Sequence, residues 1–198
     1  GEWYHAPFPT NAFLLSVERR CMPGPTFASG ERVTLHPVEE DDLDAFARAR
    51  NDPDLRVPLC IDAQNHRDAL EEFHEETISG GDSYWFIVTA DDESVGAVMF
   101  PDVRESDGLA DLAYWILPER QGNDFGREAV SLLVAYGFEE LRLHRIQADC
   151  LATNDASRGL LEALGFSREG RFREAVFQDG AHVDVLRYGL LESEWRGH

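Results

Sequence analysis

The chain contains no lysine: all 18 of its basic residues are arginine, set against 38 acidic residues for a formal net charge of −20. Contact with nucleic-acid phosphates needs a basic patch, so this balance excludes nucleic acid as a partner. A surface this acidic repels itself in dilute buffer, whereas near 1 M salt the Debye length falls to roughly 3 Å and most of that repulsion disappears. The acids are spread along the whole chain rather than gathered in a tail, which reads as the adaptation of a salt-accumulating halophile. An acidic surface for a basic partner is the other reading.

Cysteine is scarce as well. Cys21, Cys60 and Cys150 are too few and too far apart for a disulfide framework or a zinc site, which leaves buried or incidental thiols and no expected metal. No apolar run approaches the length of a membrane span and no signal peptide is apparent, so a cytoplasmic chain with no membrane partner is expected. At 198 residues one ordinary domain is expected. Within residues 1–21, Glu2 and Glu18 balance Arg19 and Arg20, so residues 22–198 carry the whole net charge. The domain is therefore expected to begin near Met22, with residues 1–21 an added extension, a misassigned start, or an arm that packs Trp3, Phe8 and Phe13.

What is present is an alternation of short apolar runs with helical patterns. A strand is predicted over 32–37. A helix over 40–51 places Leu43, Phe46 and Ala47 on one face and stops at Pro53, and a second over 67–79 ends at Gly80-Gly81. Strands over 84–89 and 95–100 form a hairpin, and a strand over 109–117 leads to a helix over 125–141 whose buried face is Val130, Val134, Phe138 and Leu141. A strand over 145–151, a short helix over 156–164 and a hairpin of 171–177 with 182–191, turned by Gln178-Asp179-Gly180, complete the order. This is an α/β domain with one mixed sheet.

The junction Arg120-Gln121-Gly122-Asn123-Asp124-Phe125-Gly126-Arg127 joins a strand to a helix. The first N–H groups of a helix lack intrahelical partners and its N-terminal end is positive, so glycines that let backbone approach closely make an anion cradle there. Two glycines before a helix also describe a plain turn. Further along, Asn154-Asp155-Ala156-Ser157 opens a short helix ending in Leu164-Gly165-Phe166.

Together these segments resemble the GNAT superfamily of N-acetyltransferases, which carries Arg/Gln-x-x-Gly-x-Gly/Ala at its coenzyme A loop. Gln121, Asp124 and Gly126 occupy the Gln, middle-Gly and final positions, so the middle one departs from the pattern. The branch that acetylates ribosomal-protein N-termini looks most similar, through Ala113-Tyr114-Trp115-Ile116-Leu117, Arg127-Glu128-Ala129, Asn154-x-x-Ser157 and the closing hairpin. The resemblance implies a mostly antiparallel sheet whose two central strands splay, with acetyl-CoA entering one side of the wedge and the amine the other. A monomer and a homodimer are both open.

The resemblance also implies roles. Backbone amides of Gln121, Gly122, Asn123, Asp124, Phe125, Gly126 and Arg127 would hold the pyrophosphate. The strand at Trp115, Ile116 and Leu117 would pair with the pantetheine arm as an added strand does, while its side chains serve ordinary packing. Asp124 either faces the phosphate, where a carboxylate about 4 Å away costs roughly 1 kcal/mol in water, or turns away and caps the helix. Arg127 offsets that charge or is simply solvated. Asn154 caps the short helix and is a candidate coenzyme contact. Ser157 stands where the related branch places a serine beside the leaving sulfur; Leu161 stands where many members carry an acidic tyrosine. Asp149 and Glu174 are the candidate bases, Val176 occupying the position of the branch's carboxylate, and water is a third. Asp184 and Tyr188 are structural or substrate-lining.

The expected activity is transfer of acetyl from acetyl-CoA to a primary amine, with a protein or peptide α-amine as acceptor. A small amine such as a polyamine is the alternative acceptor, and a non-catalytic CoA-binding module the alternative class.

Overall fold

The computed structural model describes residues 24–59, 67–78, 82–178 and 180–196. The reading of residues 1–21 as an extension or arm lies outside these, as do Cys21, Cys60, Gly80 and Gly81. Strands β1 (Ala28–Ser29) and β2 (Thr34–Pro37) lead into a 3-10 turn (Glu40–Asp42) and helix α1 (Leu43–Asn51). Helices α2 (Pro53–Arg56) and α3 (Arg67–Phe73, continued by a π turn His74–Ile78) follow, then β3 (Tyr84–Ala90), β4 (Glu93–Arg104) and β5 (Leu109–Ile116). The long helix α4 (Phe125–Glu139), β6 (Arg145–Leu151), α5 (Asp155–Ala163), β7 (Ser167–Gln178) and β8 (Ala181–Leu191) complete the chain.

Local chemistry accounts for these boundaries. The Asp42 carboxylate accepts the Glu39 N–H at 2.9 Å, closing a capping box ahead of α1. Proline at 53 ends α1 as expected but also begins α2, because its fixed φ and missing N–H suit the first helical position, and Asp52 caps the Asp54 N–H. The β3–β4 turn puts Asp91 and Asp92 at φ 52° and 62°, the paired left-handed conformation that a tight hairpin needs and Asp tolerates. On α4, Val130 and Val134 are fully buried and Phe138 is 5% exposed, with Ala129 and Leu133 added to the predicted face.

The eight strands form one sheet in the order β1-β2-β3-β4-β5-β6-β8-β7, antiparallel throughout except for β5 and β6. Side chains alternate across the sheet, so β5 serves two cores. Ala110, Leu112 and Tyr114 face the cluster shared with α4 and α5; Ala113, Trp115 and Leu117 face the cluster with α1, α2 and α3. Trp115 meets the Phe46 ring edge-on at 5.7 Å, as ordinary strand packing.

The parallel pair is short. Leu109, Ala110 and Asp111 lie opposite Arg145, Ile146 and Gln147, and no register continues beyond them. The root is tied by the Gly108 carbonyl, which accepts from His144 N at 2.6 Å and Arg145 N at 3.0 Å, and by Gln147 Nε2, which donates to Asp111 Oδ1 at 2.6 Å. Past the root, β5 stays with β4 and β6 stays with β8, so the two strands part. A bulge in β4 sits at the parting: Met99 pairs with Ala113 and Asp102 with Asp111, three steps on β4 against two on β5. Bulges bend a strand and raise its twist, and Pro101, lacking an N–H, suits that position. The expected splayed central strands are thus present, parting beside the β4 bulge.

Candidate active site

The opening between β5 and β6 is a cavity of about 840 Å³, lined from Leu112 onward on β5 and from Ala148 onward on β6. The first turns of α4 and α5 close one side; Asp54, Leu55, Pro58 and Leu59, from and just after α2, reach the other.

At the α4 end, Gly122 has φ 75° and Asp124 has φ 61°, so residue 124 occupies a position where glycine would be unstrained. Asp124 is the N-cap residue by backbone position, yet its side chain makes no capping hydrogen bond. Its carboxylate lies 3.8 Å from the Arg127 guanidinium, both well exposed. Of the two placements expected for Asp124, facing the phosphate or capping α4, the capping hydrogen bond is not formed, and the carboxylate has the Arg127 guanidinium as its neighbour. The first amides of α4 remain without intrahelical partners up to Glu128, whose N–H reaches the Asp124 carbonyl at 3.1 Å. A Cβ on Gly126 would lie 3.3 Å from Ile116 Cγ1 and Leu160 Cδ1, so the glycine lets α4 start close against β5 and α5. Gln121 donates its side-chain amide to the Ile116 carbonyl at 2.9 Å, pinning the loop to the strand end.

Gln121, Gly122, Asp124, Phe125, Gly126, Arg127, Asn154, Trp115 and Ile116 all line the cavity. Leu117 and Asn123 do not. Leu117 turns into the core beneath α1 and donates its N–H to the Val95 carbonyl at 2.9 Å; Asn123 braces the loop by donating to the Arg120 and Gln121 carbonyls at 3.1 and 3.3 Å.

At the α5 end, Asn154 accepts the Ser157 N–H at 3.0 Å, the expected cap, and this turns Ser157 into the cavity. Its hydroxyl lies 2.7 Å from the Tyr114 hydroxyl. Burial pushes the Tyr114 phenol well above its usual range, with the Ser157 hydrogen bond acting the other way. Cys150 also lines this corner, and burial pushes its thiol up, with the neighbouring Ser157 hydroxyl acting the other way. Leu161 is fully buried in the core and absent from the cavity wall.

The candidate bases fare differently. Asp149 reaches the cavity, but Arg187 on β8 holds both of its oxygens, Nε at 2.9 Å and Nη2 at 2.7 Å. Glu174 does not reach it. Two surplus residues on β7 between Phe172 and Val176 make a bulge, Glu174 takes φ 52° within it, and its side chain is exposed on the outer edge of the sheet. That geometry removes Glu174 from the candidate bases. Its N–H goes to Asp184, whose carboxyl is held below its usual range by that bond first and by Arg171 next, so Asp184 is a bulge clamp. Tyr188 is fully buried and donates to Glu162 at 2.8 Å, also a structural role.

Tyr114 and Arg187 are the site residues that sequence reading missed. Strand parity puts Tyr114 on the α5 face, but its distance from Ser157 depends on how far β5 and β6 part. Among the described residues no group of three or more His, Cys, Asp or Glu is placed to hold a metal ion, and no helix is long and apolar enough to cross a membrane.

A sheet that is antiparallel except for one parting pair, with an open helix N-terminus at the mouth of the gap, has the architecture that the resemblance implied for a CoA-dependent acyltransferase. Residues 32–167 match the acetyltransferase (GNAT) domain family, and the chain belongs to that family. It is 31% identical over 172 residues to an uncharacterised N-acetyltransferase of Bacillus licheniformis, covering 84% of this chain and 97% of the relative. A crystal structure of Vibrio cholerae spermidine N-acetyltransferase in complex with CoA and spermine superposes with a TM-score of 0.79 at 26% identity, over 83% of this chain and 98% of that one. The Escherichia coli ribosomal-protein-serine acetyltransferase is 26% identical over 128 residues, 61% of this chain and 72% of the relative. The chain is therefore an N-acetyltransferase that acts on an amine.

Proposed function

We propose that the chain acetylates the α-amino group at the N-terminus of a protein or peptide, taking the acetyl group directly from acetyl-CoA. The observation that carries this reading is the state of Asp149, whose two oxygens are committed to Arg187. No histidine or glutamate is among the described residues lining the cavity. A site whose β6 carboxylate is already paired with an arginine suits an acceptor that is already partly neutral. Deprotonating an α-amine with pKa near 7.8 at pH 7 costs about 1 kcal/mol, against about 4.6 kcal/mol for an alkyl amine near 10.4.

In this reading the amides of Gly122 to Arg127 receive the pyrophosphate, with Arg127 offsetting the Asp124 charge. Beyond Asp111 the side of β5 away from β4 has no strand partner among the described residues, and it offers backbone to the pantetheine arm. The amine nitrogen bonds to the acetyl carbonyl carbon, the C–S bond breaks with its electron pair going to sulfur, and the amine's proton passes to water. Ser157 Oγ donates a hydrogen bond to the departing sulfur; a thiol pKa near 8.5 makes full proton transfer unnecessary.

A polyamine acceptor is the competing reading. It is supported by the likeness to the Vibrio enzyme and by Asp54 at the cavity wall, a carboxylate suited to a second ammonium. The test is kcat/KM for peptides with free N-termini against spermidine, in concentrated KCl, after calorimetry has established one-to-one acetyl-CoA binding. A preference for peptide supports the proposal, and a preference for spermidine overturns it.

A further inference from the structure

We infer that Tyr114 is a positioning residue that donates its hydroxyl hydrogen to Ser157 Oγ and so leaves the Ser157 hydrogen directed at the departing sulfur. This rests on the role given to Ser157 above. The two hydroxyls lie 2.7 Å apart, and the Ser157 carbonyl is a longer second acceptor at 3.4 Å. Two different elements meet at this contact. Tyr114 projects from β5 past the point where β6 leaves it, and Ser157 sits in the first turn of α5, oriented by the Asn154 cap. The parting of β5 from β6 makes room for a phenol there, and the phenol spans part of the gap.

A serine hydroxyl has one hydrogen and can rotate. Without a fixed neighbour it can donate to a backbone carbonyl or to the Cys150 sulfur beside it, and either would turn its hydrogen away from the ligand. A phenol is a stronger acid than an aliphatic alcohol, so it is the better donor of the pair. Burial keeps this phenol protonated across the working pH range. With one Ser157 lone pair filled by Tyr114, the serine hydrogen is left for a cavity acceptor. When the amine nitrogen bonds to the acetyl carbon and the C–S electron pair moves to sulfur, that hydrogen is already aimed; no proton leaves Tyr114 at any step.

The test compares Tyr114→Phe, Ser157→Ala and the double variant in the full chain, with kcat, KM for acetyl-CoA and thermal midpoint read for each. Tyr114→Phe removes one oxygen and keeps the ring, so the midpoint and the acetyl-CoA KM are expected to stay near those of the parent while kcat falls about tenfold. Ser157→Ala is expected to fall further, and the double variant to match Ser157→Ala, because the phenol has nothing left to position. A packing role would move the midpoint or KM instead. Unchanged kcat in Tyr114→Phe beside a slow Ser157→Ala overturns this inference alone. Losses that multiply in the double variant overturn it too, since the two groups would then act separately. An unaffected Ser157→Ala sinks the reading of Ser157 itself and this inference with it.

Discussion

Over residues 109–111 and 145–147, strands β5 and β6 form a closed parallel ladder; over residues 112–116 and 148–151 they share no register at all. One face of the root is apolar, with Ala110 and Ile146 fully buried in the core shared with α4, and the other is locked by the Gln147–Asp111 hydrogen bond. The outer half carries protic groups, Tyr114 and Cys150, facing Ser157. One strand pair thus closes the sheet at one end and lines the cavity at the other, and the boundary falls beside the β4 bulge. Opening a sheet exposes backbone that must find other partners, and a substrate with amides of its own is such a partner.

Substitutions on either side of that boundary should separate the two roles. The largest effect is expected from the open half: Ser157→Ala should lower kcat about 10²-fold, roughly 2.7 kcal/mol, with the denaturation midpoint unmoved. A lost midpoint would instead make Ser157 a fold residue. Gly126→Val comes next, because Ile116 and Leu160 already stand 3.3 Å from where a Cβ would go. Overpacking there should weaken acetyl-CoA binding by about tenfold in a calorimetric titration, and retained affinity would argue against the α4 cradle. In the root, Gln147→Leu should cost about 1 kcal/mol in urea unfolding by leaving Asp111 without its donor, while kcat stays near the parent value. A large fall in turnover would mean the root and the open half are not separable. Smallest of all, Glu174→Gln on the outer bulge should leave kcat within about twofold, and a larger loss would return Glu174 to the candidate bases.

Much of the fold is legible along the chain. The 3.6-residue spacing of Val130, Val134 and Phe138 and the run at 145–151 place α4 and β6, since burial of one face imposes those periods locally. Asn154 is legible as a cap because capping involves residues three apart. Other features join distant segments. Arg187 meets Asp149 across 38 positions because β8, not β7, lies beside β6, an adjacency that chain order does not reveal. Tyr114 meets Ser157 across 43 positions. Glu174 looks like a base because it stands two residues before Val176, the position of the related branch's carboxylate, yet two surplus residues in β7 carry it outward, and counting along a strand assumes no bulge.

The element order, the helix-start loop and the family likeness come from the amino-acid sequence by itself, because periodicity, capping and glycine placement act over a few residues. Which carboxylate is already paired, which hydroxyl touches which, and where two strands part came only from the tertiary structure. Those facts depend on sheet adjacency and on a bulge in a third strand, and no local pattern in β5 or β6 encodes them.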